Sequence, residues 1–390
     1  MNATATAATQ AAPADTLDTI ATPALVLDAA RLDRNIARLR ARMAALGVGL
    51  RPHVKTAKSV EVAQRLFADG RGPITVSTLR EAEGFADVGF ADMTYAVGLA
   101  PDKLPRVQAL VARGVDVAVV IDTDEQARAL AAAAPAGHLP GVLIEIDCDG
   151  HRGGLVPDDP RILAIADILR EGGVPLRGVL THAGESYQCR DGEGLPEAAE
   201  AERAAAVAAA ERLRGCGHAV SVVSVGSTPT AHFARDLSGV TEVRAGVYMF
   251  FDLVMHGVGV CTLDDIALSV LATVIGRRPE KGWILVDAGW MALSRDRGTA
   301  RHPVDQGYGL VCDIDGSAYD DLIVADASQE HGILAMRPGS DARLPALAVG
   351  DRVRILPNHA CATGAQHERY RVVRTGGRDV VATWPRMRGW

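Results

Sequence analysis

No stretch of this sequence reaches about 18 consecutive apolar residues, so no membrane-spanning helix is expected. No basic block stands out, and acidic side chains outnumber basic ones 48 to 41, for a net charge of −7. Neither nucleic acid nor an anionic membrane surface is therefore an expected partner. The six cysteines, at positions 148, 189, 216, 261, 312 and 361, include no Cys-x-x-Cys pair. Scattered along 390 residues, they suggest reduced thiols in a reducing compartment. The opening MNATATAATQAAPAD lacks the basic start and apolar core of a signal peptide. Its small polar residues suggest a disordered tail, taken here as residues 1–18. These exclusions leave a cytoplasmic enzyme-sized chain. With 48% hydrophobic residues it can bury a large core, and its length suggests two domains or a barrel with a smaller module.

What is present is alternation. TPALVLD forms an apolar strand, and the next segment repeats Leu32, Ile36, Leu39, Met43 and Leu46 at helical spacing before Gly47. Eight short β-rich runs follow, at 49–55, 73–78, 92–98, 116–122, 141–147, 177–183, 221–227 and 242–250. Most are separated by Ala- and Leu-rich helical stretches such as Glu197 to Arg214. Eight strands with helical crossovers are what a (β/α)₈ TIM-type barrel demands, although an open doubly wound sheet alternates similarly. Near Leu263 the pattern changes to alternating runs broken by Gly, Asp and Pro, which predict antiparallel strands. The expected domains are a barrel over 30–258 and a mainly antiparallel β domain over 259–390. The strand at 22–28 has no barrel slot, so 19–29 is assigned to the β domain.

In such a barrel, functional groups cluster at the C-terminal strand ends. RPHVKTAKS puts His53 and Lys55 at one of them. A lysine there can be a base, an anion clamp or a Schiff-base former, and position alone also allows a solvated loop lysine. After the seventh strand, SVGSTPT offers Gly226 for close backbone approach and Ser227 and Thr228 hydroxyls at a helix start, which suits a phosphate. An ordinary N-cap reads the same way. RAGVYMF, with Gly246 and Tyr248, lies in the neighbouring eighth strand. In ILPNHACAT, His359 and Cys361 are two residues apart and project to one side if extended. They form a soft pair suited to an open metal site such as zinc; a buried cysteine beside a loop histidine is the alternative. The stretch QEHG, Gln329 to Gly332, adds polar residues in the same domain.

Taken in order, RPHVKTAKS, EIDCDGHRGG, THAGESY, VGSTPT, TEVRAGVYMFFD and PNHACATG resemble the D-serine dehydratase and D-threonine aldolase family. The resemblance covers nearly the whole chain after the tail. It implies an alanine-racemase-like barrel of pyridoxal phosphate fold type III with a β domain, and a homodimer. It further implies that Lys55 carries pyridoxal 5'-phosphate as a Schiff base, with His53 beside it. His182 and Tyr187 would border the cofactor ring and Arg152 its polar edge. Gly226, Ser227, Thr228, Gly246 and Tyr248 would hold the phosphate, and His359 and Cys361 would bind zinc or manganese.

The activity implied is loss of water from a D-3-hydroxy amino acid, 3-hydroxyaspartate or serine, to give a 2-oxo acid and ammonia. Retro-aldol cleavage is the alternative; family aldolases often carry a carboxylate where this chain has Cys361, so the thiol leans toward dehydration. A racemase, with Tyr308 as a possible second base, and a non-catalytic cofactor carrier are further alternatives. A second substrate carboxylate would need a cation, and SRDRGTAR offers Arg295, Arg297 and Arg301.

Overall fold

The computed structural model describes residues 15–390, so most of the expected tail lies outside the described residues. Residues 15–18 correct the expected tail boundary: Thr16 bridges Asp379, and Leu17 is fully buried. The physical reason is apolar. Leu17 and Ile20 pack with Ala24, Val26, Leu271 and Val373 in a small cluster on the β domain.

Strand β1 (Ala24–Asp28) leads into the helix Ala29–Ala45. Asp28 caps it by accepting from the amides of Ala30 and Arg31, and Leu32, Ile36, Leu39 and Met43 bury one face. Gly47, at φ +71°, supplies the left-handed turn that stops the helix. Eight parallel strands follow: β2 (Gly49–Pro52), β3 (Ile74–Val76), β4 (Asp92–Gly98), β5 (Asp116–Ile121), β6 (Gly141–Ile146), β7 (Leu176–Thr181), β8 (Val222–Val225) and β9 (Glu242–Ala245). Their hydrogen-bonded order is β2-β9-β8-β7-β6-β5-β4-β3. A bridge between His53 and Thr75 joins the two end strands and closes the ring.

Strand periodicity sorts the barrel's side chains. In β5, Val117, Val119 and Ile121 pack outward in the main core beneath the helices, while Ala118 and Val120 join Leu143 and Leu180 in a separate inner cluster. Polar groups also lie inside. Arg51 pairs with Glu242 at 2.7 Å and with Asp92 at 2.6 Å. Ser224 donates to Glu242 at 2.7 Å and accepts from Arg244 at 2.7 Å, and Arg244 also donates to the Thr181 carbonyl at 2.6 Å.

The remaining strands are β10 (Leu268–Arg278), β11 (Trp283–Val286), β12 (Leu310–Asp313), β13 (Ala318–Ala327), β14 (Gly332–Met336), β15 (Arg352–Leu356), β16 (Arg369–Val373) and β17 (Ala382–Pro385). They form a second sheet in the order β11-β14-β13-β12-β15-β10-β1-β16-β17, and an extra β10–β11 pairing closes six of these strands into a small barrel. Pairing is antiparallel except where β1 lies parallel to β16. Thus β1 belongs to this sheet, and the fold is a TIM-type barrel with a C-terminal antiparallel β barrel.

Hydrogen bonds at several points seat the second barrel on the mouth of the first. The amides of Leu253 and Val254, in the helix Leu253–Val258, donate to the carbonyls of Pro357 and Asn358 at 3.0 and 3.1 Å. Asp252, the cap of that helix, accepts from the Ala360 amide at 2.9 Å.

Candidate active site

One cavity of about 410 Å³ lies at the C-terminal ends of the parallel strands, between the two barrels. It is lined by Lys55, His53, Arg152, His182, Tyr187, Gly226, Ser227, Thr228, Gly246, His359 and Cys361. Residues more than 300 positions apart in sequence therefore face one space.

Lys55 sits three residues beyond β2 and projects into the cavity. Its loop is pinned at many points. The Val54 amide donates to the Thr75 carbonyl at 2.9 Å, and Lys58 pairs with Glu81 at 2.9 Å. From the β domain, Tyr370 donates to the Ala57 carbonyl at 2.7 Å, and Arg386 donates to the carbonyls of Ala57 and Thr56 at 3.1 and 3.2 Å. The Met387 amide donates to the Lys58 carbonyl at 2.6 Å. Enclosure lowers the Lys55 pKa; Cys361 opposes this and Arg152 adds to it.

The barrel wall holds two histidines neutral. Burial, with help from the cations of Lys55 and Arg244, pushes His53 well below the ordinary imidazole value. Burial likewise lowers His182 to about 3, although its Nδ1 lies 2.9 Å from the Gly226 carbonyl. Tyr187 lies in a 3₁₀ turn, its ring 6.2 Å from that of His182, and burial raises its phenol.

The loops after β8 and β9 fit a phosphate. Thr228 Oγ1 is buried with no partner, at the start of the helix Thr228–Phe233. Gly226 has φ +140°, and a Cβ there would meet the Arg244 carbonyl oxygen at 2.0 Å; one on Gly246 would meet the His53 carbonyl oxygen at 3.0 Å. At both positions the missing side chain lets neighbouring backbone segments pack closely, which sets the shape of the loops that line the cavity. Two members of the expected phosphate set behave differently. The Ser227 hydroxyl is committed to the capping box: it accepts from the Thr230 amide at 3.2 Å and lies 2.9 Å from Ser186 Oγ. Tyr248 is corrected outright. β9 ends at Ala245, the next turn Val247–Met249 is 3₁₀, and the Tyr248 ring turns into the core, where its hydroxyl has no partner and does not line the cavity.

On the opposite wall, Asp296 Oδ2 lies 2.6 Å from His359 Nδ1, and Cys361 lines the cavity beside them. Thr56 Oγ1 is 3.2 Å from Cys361 Sγ. Burial opposes charge on His359, but Cys361 and Asp296 raise its pKa well above the ordinary value. Burial likewise opposes the thiolate, yet His359 holds Cys361 below its ordinary value. An imidazole oriented by a carboxylate, beside an activated thiol, is the donor set of a divalent transition metal. Among the described residues no group of three or more His, Cys, Asp or Glu is assembled for an ion, so this pair suits an open site completed by other ligands.

Several lining residues escaped the sequence reading. Arg244 was legible as a charge that alternates with Glu242 in the short strand β9. Asp296 gave no signal, because its partner is 63 residues away. Glu202 lies behind the wall in the Ala-rich helix Leu195–Gly215; it accepts from the amides of Ala183 and Gly226, both at 2.9 Å, and from Thr230 Oγ1 at 2.7 Å. Conversely, Gln329–Gly332 turns between β13 and β14 away from the cavity.

Two family models match the chain: the alanine racemase N-terminal domain over residues 27–254 and a putative serine dehydratase domain over residues 267–373. The chain belongs to the D-serine dehydratase-like family of pyridoxal phosphate fold type III. D-threo-3-hydroxyaspartate dehydratase of Delftia sp. (strain HT23) is 54% identical, with 96% of this chain and 100% of that protein covered. A solved structure of a cysteine-to-alanine variant of a D-threo-3-hydroxyaspartate dehydratase, in a metal-free form, is also 54% identical and superposes with a TM-score of 0.92, covering 96% of this chain and 100% of that one. D-threonine aldolase of Arthrobacter sp. is 30% identical over 94% of this chain and 92% of that protein.

Proposed function

We propose that this protein is a metal-assisted, pyridoxal phosphate-dependent dehydratase that removes water from a D-3-hydroxy amino acid, with D-threo-3-hydroxyaspartate as the leading substrate, to give a 2-oxo acid and ammonia. One observation carries this reading: Lys55 and the His359–Cys361 pair face the same cavity from separate domains. A cofactor carrier needs no such pair, and a racemase has no hydroxyl to expel.

Lys55 would hold the cofactor through its aldehyde carbon. The amides of Gly246, Val247 and Thr228, with the Thr228 hydroxyl, would hold its phosphate. His53, His182 and Tyr187 would pack around the ring, with Arg152 at its polar edge. His359 and Cys361 would hold a divalent metal, most simply zinc. Bound there, the cofactor supplies an electron sink at the substrate α-carbon, and the metal a Lewis acid for the departing hydroxyl.

The chain's own groups do the rest. Once displaced by the substrate amine, Lys55 Nζ takes the α-proton, and its lowered pKa favours the neutral amine that this requires. The neutral His53 and His182 add no competing positive charge. Asp296 fixes the His359 ring. The thiol at Cys361 favours elimination over retro-aldol cleavage, as does the greater likeness to the dehydratase than to the aldolase.

The test is product analysis of the purified holoenzyme with D-threo-3-hydroxyaspartate, D-serine and D-threonine, with and without chelator. A 2-oxo acid and ammonia, lost on chelation and restored by zinc, are expected. Glycine and an aldehyde would make the protein an aldolase. The proposal extends to a homodimer in the cytoplasm. No helix of the described residues is long and apolar enough to cross a membrane, and all six cysteines are free thiols; light scattering tests the dimer.

A further inference from the structure

In 3-hydroxyaspartate, the hydroxyl sits on the carbon bonded to the distal carboxyl carbon. Whatever grips the hydroxyl therefore fixes where the second carboxylate lies. If His359 and Cys361 hold the metal that meets the hydroxyl, the distal carboxylate falls beside the loop that carries Asp296. Three arginines lie on that loop, and the fold separates them. Arg295 stacks over Trp290, 4.5 Å from the ring centre, and does not line the cavity. Arg297 pairs with Asp305 at 2.6 Å and covers Tyr308. Arg301 lines the cavity, and among the described residues no carboxylate lies within salt-bridge distance of it.

The backbone beneath Arg301 is fixed while its guanidinium is free. A Cβ on Gly298 would meet Val254 at 2.6 Å, which marks how closely the turn packs on the helix Leu253–Val258. Thr299 is fully buried and donates to Asn358 Oδ1 at 2.5 Å, one residue before His359. The Arg301 carbonyl accepts from Arg190 at 3.2 Å. The other cations of the cavity have different work. Arg244 is held by Ser224 and Thr181, Lys55 reacts, and Arg152 lies close enough to Lys55 to lower its pKa and 3.7 Å from Glu145.

We propose that Arg301 receives the distal carboxylate and so sets the preference for dicarboxylic over monocarboxylic D-3-hydroxy amino acids. This rests on the dehydratase reading. A planar guanidinium matches a carboxylate through two parallel hydrogen bonds, which an ammonium cannot reproduce.

The experiment compares wild-type, Arg301→Lys and Arg301→Met holoenzymes. The ratio of kcat/KM for D-threo-3-hydroxyaspartate to that for D-serine should fall about 30-fold in Arg301→Met, chiefly through KM, with partial recovery in Arg301→Lys. An unchanged ratio overturns the proposal. Calorimetry with D-malate, a dicarboxylate that lacks the amine, reads the same contact without turnover; about tenfold weaker binding to Arg301→Met is expected. Equal D-malate affinity for wild type and Arg301→Met overturns the proposal as well. Absence of 2-oxo acid from both substrates with the wild type removes the dehydratase reading instead, and the D-malate comparison then still decides for or against Arg301.

Discussion

Two histidines that face one cavity have their pKa values shifted in opposite directions. On the barrel wall, His182 is kept neutral, because burial and the nearby Lys55 and Arg244 cations disfavour its proton. On the β-domain wall, burial acts against charge on His359 too, but Cys361 and Asp296 stand beside it and raise its pKa well above the ordinary value. Burial alone does not set protonation; the sign of the neighbouring charge does. The contrast extends to the walls themselves. On the barrel wall, Glu202, Thr230 and Ser227 satisfy one another, Ser224 and the Thr181 carbonyl hold Arg244, and Thr228 Oγ1 is left without a partner. The β-domain wall is sparse: a His–Cys pair, one carboxylate and one unpaired arginine. The first wall suits a cofactor that stays in place. The second suits ligands that must exchange.

Replacing a residue on each wall tests this division, and the largest effect belongs to Lys55. Lys55→Ala should abolish 2-oxo acid release, by at least about 10⁴-fold, with loss of the visible Schiff-base absorbance. Retention of both would move the cofactor elsewhere.

On the other wall, Cys361→Ala should lower turnover by roughly 10²-fold or more while leaving that absorbance in place, so the two walls separate spectroscopically. Asp296→Asn should weaken metal binding by about 10- to 100-fold, because it removes the charged partner that orients His359. Metal titration into apoenzyme measures both. Loss of the cofactor band in Cys361→Ala would show that the walls do not act separately.

A smaller effect crosses the boundary. Arg386 belongs to the β domain, yet it holds the Thr56 and Ala57 carbonyls next to Lys55. Arg386→Met should cost about 1–3 kcal/mol in urea unfolding, since buried acceptors lose a charged donor. It should also slow cofactor capture by apoenzyme. Unchanged capture kinetics would mean that Tyr370 and Met387 suffice.

The smallest effect is the pH slope of stability. Burial lowers His182 to about 3 and His232 to about 4. An unfolded histidine titrates near ~6.5, so below that value the unfolded chain binds more protons and stability falls as pH falls. Each histidine adds up to ~1.4 kcal/mol per pH unit until its folded value is reached. Urea midpoints between about pH 7 and 5 should show this slope, and His232→Gln should flatten it by one histidine's share. A slope unchanged by that substitution would assign the acid sensitivity to other groups.

The alternation of β-rich runs and helical stretches was enough to foresee the parallel barrel, because strand and helix periods are local properties of sequence. The change of pattern near Leu263 likewise announced the antiparallel module. Lys55, Gly226, Thr228, His359 and Cys361 were each visible as residue types suited to a chemistry. Local pattern misled where the chain leaves regular structure. Tyr248 looked like part of a strand, but β9 ends at Ala245, and the 3₁₀ turn directs the ring inward. Ser227 looked like a free hydroxyl and is instead spent on its own helix.

What the sequence determined by itself is the set of elements and the inventory of reactive side chains. Which of those side chains meet was decided only by the tertiary structure. The Asp296–His359 contact, the Arg386 hold on the Lys55 loop and the freedom of Arg301 each depend on closing chain segments far apart in sequence. No local periodicity encodes such contacts, because they arise from the seating of one barrel on the mouth of another.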